Sequence, residues 1–231
     1  MIKLNISPQE SSENARDFSY RVLKENILDL TLEPGGPLSE NTASQILGIS
    51  RTPIRNAFSQ LAEENLLISS PQMTTYVSYI SSKRLTDAIF MWRILEIASL
   101  KESYKTSFDE DTLFEVQASL NHIEFLAQHD RVVNFSEWNA KFSKLIFQGC
   151  NLKSVYETLH YVSSDLYRIE SINADNKKYI NEVIRLNKNL LFAIETKDEY
   201  LTEKLIMQRF DSVLEMAKLA QETFPHYFGG E

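Results

Sequence analysis

The sequence is poor in residues that interrupt helices and in residues that staple or chelate. Six glycines and six prolines in 231 residues leave little turn chemistry for a β-rich fold. One cysteine, Cys150, excludes an internal disulfide and any cysteine-built zinc site. The four histidines, His122, His129, His160 and His226, are scattered without the spacing of a metal-ligand pair. No apolar run approaches the ~18 residues that span a bilayer, and the start, MIKLNISPQESSENARD, has no apolar signal-peptide core. A soluble, cytoplasmic protein with no membrane partner is the expectation. Positive charge is also scarce: 24 Lys and Arg stand against 32 Asp and Glu, a net charge of -8, which disfavours indiscriminate nucleic-acid binding. No nucleophile–base pair, glycine-rich phosphate loop or paired acidic motif is present, so an enzyme reading has nothing to rest on. No cofactor is expected.

What remains is a chain with 43% hydrophobic residues, enough for packed cores. The first 13 residues are polar and are expected to be loose. From Asn14, apolar residues recur at helical steps: Phe18, Val22, Leu23, Ile27 and Leu30. Leu32-Glu33-Pro34-Gly35-Gly36-Pro37 stops that pattern. Ser39 fits the N-cap of a short helix ending at Leu47, and Gly48 fits a left-handed C-cap with Ile49 buried under the turn. A third helix starts at Ser50 to Pro53, where a proline is tolerated. Its inward face is Ile54, Ala57, Phe58 and Leu61. Leu66 to Ile68 and Tyr76 to Tyr79 read as two short strands. Three helices and a two-stranded hairpin make a winged helix-turn-helix over residues 1–79.

Beyond Ser82 proline vanishes until Pro225, and glycine is absent apart from Gly149 and the tail. Helical stretches are expected at 83–106, from the Asp109 cap to Gln128, and at 131–148, 151–172, 176–196 and 198–223. The fold class is therefore mainly α, with an all-helical domain of about six helices over residues 80–231.

Residues 14–80 hold five Lys/Arg (Arg16, Arg21, Lys24, Arg51, Arg55) and seven Asp/Glu. Basic groups are placed rather than abundant. Arg51 and Arg55, four apart at a helix start, suit guanine edges in a major groove, while Ser50 and Thr52 suit phosphates beside free N–H groups. The competing reading is a solvated face with a surface ion pair.

The stretch LEPGGPLSENTASQILGISRTPIRNAFSQLAEENLL resembles the amino-terminal domain of GntR-type bacterial transcription regulators. Trp92-Arg93-Ile94-Leu95-Glu96 is similar to the Arg-x-x-Leu-Glu of the FadR subfamily's helical effector domain, called FCD. Phe142, Gly149-Cys150-Asn151-Leu152 and Asn189 to Thr196 fit further segments of that domain. The resemblance spans about residues 15–223 and implies a DNA-binding regulator, more often a repressor, acting on double-stranded DNA. A single winged helix covers too few base pairs, so a homodimer on a palindromic operator is expected. Two positions depart from the family: Asn41 stands where an arginine is usual early in the second helix, and Met73-Thr74 where the wing tip usually carries Arg-Gly. Both Asn41 and Thr74 remain in the expected DNA face, with Arg51 and Arg55 carrying more of the recognition.

The resemblance also implies an effector pocket. Many FCD domains hold a divalent ion with one aspartate and three histidines, and the ion grips a carboxylate effector. Here Asn139, Ser143, Asn187 and Phe210 fall at those positions, and none is a competent transition-metal ligand. A metal-free pocket is expected, lined by Asn139, Ser143 and Asn187, with Arg93 as anchor for a small carboxylate. Arg93 has two competing roles, an internal partner such as Glu96 or an exposed site. The runner-up function is a regulator whose pocket is vestigial and which acts through dimerisation. An enzyme or a protein-interaction adaptor ranks below both, since an adaptor has no need of Ser50-Arg51-Thr52-Pro53 with Arg55.

Overall fold

The structure is a computed structural model that describes residues 2–68, 74–105, 108–129 and 135–229. Two compact units emerge, Met1–Ser82 with Gln221–Glu231, and Lys83–Ala220.

The first unit is built on three helices, α1 (Ala15–Leu28), α2 (Glu40–Leu47) and α3 (Arg51–Glu63), with strands β1 (Leu67–Ile68) and β2 (Tyr76–Val77). Asn14 caps α1 by accepting from the backbone N–H groups of Arg16 and Asp17, and Ser39 caps α2 through Thr42. Each satisfies backbone donors that have no helical partner. The strands pair antiparallel, Leu67 with Val77 and Ile68 with Tyr76. The Pro-Gly segment does more than end α1. Gly35 N–H donates to Val77 O at 2.9 Å, and Val77 N–H donates to Gly36 O at 2.9 Å, so residues 35–37 run along β2. Gly35 is required there: its φ is +78°, and a Cβ would lie 2.7 Å from the Tyr79 ring. Leu23, Ile27, Leu38, Ile54, Phe58 and Leu61 form the core.

Residues 2–13, expected to be loose, pack against the first unit instead. Leu4 is buried in that core. Asn5 N–H donates to Asn26 Oδ1 at 2.7 Å, and Asn26 Nδ2 donates back to Asn5 O at 2.9 Å. A buried asparagine on α1 needs partners, and the amino-terminal segment supplies them. Arg21, expected as part of a basic patch, is used in the same way: it binds Glu13 at 2.6 Å and Ser7 at 2.5 Å. Lys24 is held by the buried Glu64 carboxylate at 2.5 Å. The carboxy-terminal segment joins this unit too, since Ile80 N–H donates to Tyr227 O at 2.9 Å.

The second unit is helical throughout its described residues: α4 (Ser82–Ser103), α5 (Glu110–Gln128), α6 (Phe135–Gly149), α7 (Lys153–Val162), α8 (Ser164–Ile172), α9 (Lys177–Thr196) and α10 (Glu199–Thr223). Residue 106 of the first expected helical stretch and residues 131–134 of the third lie outside the described residues. The stretch expected as one helix over 151–172 is two. Ser163 breaks it, accepting from Trp92 Nε1 at 2.6 Å while its hydroxyl donates to Leu159 O at 2.5 Å. Trp92 is the hub of an aromatic core with Phe147 at 5.7 Å and Tyr156 at 6.1 Å, and its indole N–H needs an acceptor inside that core.

Ser163→Ala removes that acceptor and leaves a buried donor without its partner. A loss of about 1–3 kcal/mol of unfolding free energy is expected in urea titrations. A variant as stable as the parent contradicts this account of the break between α7 and α8.

Candidate functional site

The α2–α3 turn determines what α3 shows to solvent. Gly48 sits at φ +67° in the left-handed region, and the Ser44 hydroxyl donates to Ile49 O at 2.6 Å. Ile49 packs against the core. This turn sends α3 away with Ile54, Ala57, Phe58 and Leu61 buried and with Arg51, Thr52, Arg55 and Asn56 exposed. Ser50 is the N-cap residue but makes no side-chain capping bond, so the first N–H groups of α3 are open to an anion. Arg51 makes no ion pair among the described residues. Arg55 lies 3.3 Å from Glu40 with 69% of its side chain exposed. That pair is a surface contact worth at most about 1 kcal/mol, so it is easily exchanged for another acceptor. Asn41 is exposed on α2 near this face, and Thr74 is exposed ahead of β2. Met73 of the wing tip lies outside the described residues.

The second unit contains a different kind of site. A buried polar chain runs through it. Arg209 on α10 bonds to Glu96 on α4. Arg209 also donates to Asn187 Oδ1 on α9 at 3.3 Å. Asn187 Nδ2 donates to Asn139 Oδ1 on α6 at 3.1 Å, and Asn139 Nδ2 donates to Glu170 Oε1 on α8 at 2.6 Å. From Arg209 through the two amides, every donor points towards Glu170. Beside this chain lies a cavity with about 20 Å³ of room, walled by Trp92, Asn139, Ser143, Glu170, Tyr179 and Arg209 among others. That is space for about one water. A smaller cavity, also bordered by Asn139, is lined by Asn187, Ser119 and apolar side chains. Burial raises Glu170 to about 8, with the Asn139 bond and Arg209 opposing. Burial likewise raises Glu96 against the pull of Arg209.

Of the expected pocket residues, Asn139 and Ser143 share the wall of the first cavity, while Asn187, bonded to Asn139, lines the second. Arg93 is not with them. It reaches Asp211 at 2.5 Å and is absent from the cavity wall. The cation at the cavity is Arg209, and Glu96 is its partner rather than that of Arg93. Sequence reasoning passed over Arg209, although a charged residue between Leu205, Ile206, Phe210 and Val213 on the buried stripe of α10 was a usable signal. The divalent ion implied by the FCD resemblance does not fit this donor set. Both polar ends of the Asn139 amide are engaged, Phe210 offers a ring, and Arg209 brings a positive charge to the same wall. Among the described residues no three His, Cys, Asp or Glu side chains group as metal ligands.

Residues 17–77 match the family described as "Bacterial regulatory proteins, gntR family". The chain is 23% identical over 212 residues to the HTH-type transcriptional repressor RspR of Escherichia coli, covering 92% of each chain. It is 24% identical over 196 residues to the gluconate operon transcriptional repressor of Bacillus subtilis, covering 83% of this chain and 80% of that one. The solved structure of McbR/YncC from E. coli aligns with a TM-score of 0.74 at 19% identity, over 91% of this chain and 99% of the other, which supports the same fold: a helix-turn-helix unit with a two-stranded wing, followed by a helical bundle. No helix among the described residues is long and apolar enough to cross a membrane.

Glu170 generates a pH prediction. A carboxyl held at about 8 in the folded chain and near its ordinary value of about 4.3 when unfolded keeps a proton only in the fold between those values. Stability from this group is full below about pH 4 and declines as pH rises through 8. Glu170→Gln removes the decline. The variant should gain stability over the parent between pH 5 and pH 8, by on the order of 1–4 kcal/mol at pH 8. Parallel urea-unfolding curves for both proteins across that range contradict the burial argument.

Proposed function

We propose that this chain, which belongs to the GntR family of helix-turn-helix transcription regulators, is a repressor that binds a palindromic operator as a homodimer and responds to a small molecule held in its helical unit. Membership of a transcription regulator family makes it a DNA-binding regulator rather than an enzyme. The repressor reading rests on the two repressors to which it is similar over most of its length.

One observation supports the DNA-reading assignment above the others: Arg51 and Arg55 stand one turn apart and exposed at a helix start whose N–H groups are uncapped. Arginine is the side chain that bonds guanine O6 and N7 together, and open helix N–H groups suit the flanking phosphate. Ser50 and Thr52 stand beside those N–H groups. Asn41 and Thr74 are assigned outer contacts. Since the chain as a whole is acidic, its non-specific attraction to DNA is weak, and affinity must come from paired half-sites and base contacts.

The dimer reading is supported by an apolar stripe on α4. Phe90 and Ile94 are 65% and 50% exposed, and Ala98 continues the same face one turn on. A stripe of that size on a helix suits a second copy of itself. A regulator with a vestigial pocket is the second reading, favoured by the small volume of the cavity.

Arg51→Ala and Arg55→Ala should each cost about 1–3 kcal/mol of specific operator binding by fluorescence anisotropy, on DNA obtained by selection with the purified chain. Unfolding free energy should change little, because neither side chain is buried. A double variant that keeps its operator affinity contradicts the assignment.

A further inference from the structure

Once Glu170 gives up its proton, above about pH 8, the wall of the larger cavity has an unbalanced negative charge. Arg209, the cation there, is spoken for: it bonds to Glu96, and both are almost wholly buried. Arg209 is separated from Glu170 by two amides, and each amide passes a donor onward. Among the described residues Glu170 receives a single side-chain bond, from Asn139, at Oε1. Its other oxygen, Oε2, is buried without a hydrogen-bond partner among the described residues, and so is the Tyr179 hydroxyl. Both residues line the cavity, and they are 1% and 4% exposed. A buried carboxylate oxygen and a buried hydroxyl left open on one cavity are costly unless something completes them.

We infer that this cavity is the seat of a small primary ammonium group, which donates to Glu170 Oε2 and to the Tyr179 hydroxyl oxygen. The inference rests on the proposed role of the helical unit as an effector domain. The sign of the charge is what selects the ligand. A carboxylate would enter beside Glu170 and find the guanidinium already neutralised by Glu96, so its own charge would be unmatched. A divalent ion requires several anionic oxygens, and among the described residues Glu170 is the one carboxylate on the wall. An ammonium head is close to a water molecule in size, which suits about 20 Å³. The alkyl stem of such a ligand meets apolar side chains on the same wall: Ala140, Leu166, Val183, Phe210 and Val213 line this cavity. Other ionisable groups around Glu170 are Tyr156 on α7, Tyr167 on α8 and Tyr179 on α9, all held neutral by burial. None of the three carries a charge that competes with an ammonium, and Arg209, which acts on Glu170 only through space, is held by Glu96.

The test uses the full chain without DNA, at pH 8.5 and fixed ionic strength. Methylammonium, ethylammonium and propylammonium chlorides are titrated against sodium acetate, sodium propionate and magnesium chloride. Trp92 lines the cavity, so tryptophan fluorescence reports occupancy, and thermal unfolding gives an independent reading. The alkylammonium salts should shift the fluorescence saturably and raise the unfolding temperature, while the carboxylates and magnesium should do neither. Glu170→Gln, which keeps shape and removes charge, should weaken ammonium binding at least tenfold. Tyr179→Phe should weaken it several-fold and serves as the second variant if the first does not fold. Equal or tighter binding of a carboxylate, binding of magnesium alone, unchanged ammonium affinity in Glu170→Gln, or no binding of any alkylammonium overturns the inference. The operator affinity of the same untreated sample reads the DNA-binding function separately, so loss of one result leaves the other standing.

Discussion

A buried guanidinium is the interaction on which the helical unit depends. Arg209 sits 3% exposed, where an uncompensated charge would cost several kcal/mol. Glu96 answers it from α4, and the remaining donor begins the amide chain through α9 and α6 to Glu170 on α8. Five helices are thereby held in one hydrogen-bonded register, which apolar packing alone would not specify so narrowly. The chain has a direction, because Arg209 can only donate and a carboxylate oxygen can only accept. Each asparagine between them must take one orientation. The same directionality leaves Glu170 Oε2 as the open end. Buried polar networks are costly when partly satisfied, and the incomplete end of this one coincides with the cavity.

The first unit relies on backbone conformation instead. The left-handed turn at Gly48 and the anchoring of Ile49 set the exit of α3, and everything that α3 exposes follows from that exit. Two of the three cations of α1 are engaged elsewhere. Arg21 and Lys24 tie down the amino-terminal segment and the carboxylate at the end of α3. An acidic protein can therefore carry a DNA-reading face with few cations, provided that they are ungrouped from their acids. Arg51 meets that condition, and Arg55 gives up a weak surface pair.

Most of the first unit was legible because its signals are local: Ser39 as a cap, Gly48 as a left-handed end, Pro53 in a first turn, and apolar residues at helical spacing. What the sequence hid was long-range. Leu4 and Asn5 are ordered by Asn26, more than 20 positions away, which no window pattern reveals. The break at Ser163 has no glycine or proline to mark it and arises from Trp92, 71 positions upstream. The resemblance pointed to Asn139, Ser143 and Asn187, of which the first two line the cavity, while Arg93, next to Trp92 in sequence, faces Asp211 in space. Arg209, Glu96 and Glu170 were visible only as charged residues on apolar stripes, a pattern that a search for conventional ligand sets overlooks.

The central claim is that the start of α3 reads base edges in DNA. Methylation interference at guanine N7, on an operator recovered by selection with the intact protein, addresses it most directly. The account predicts interference at guanines placed symmetrically in two half-sites, with one position per half-site falling silent in Arg51→Ala or Arg55→Ala. Binding that is indifferent to N7 methylation, or an interference pattern that both variants leave unaltered, would contradict it.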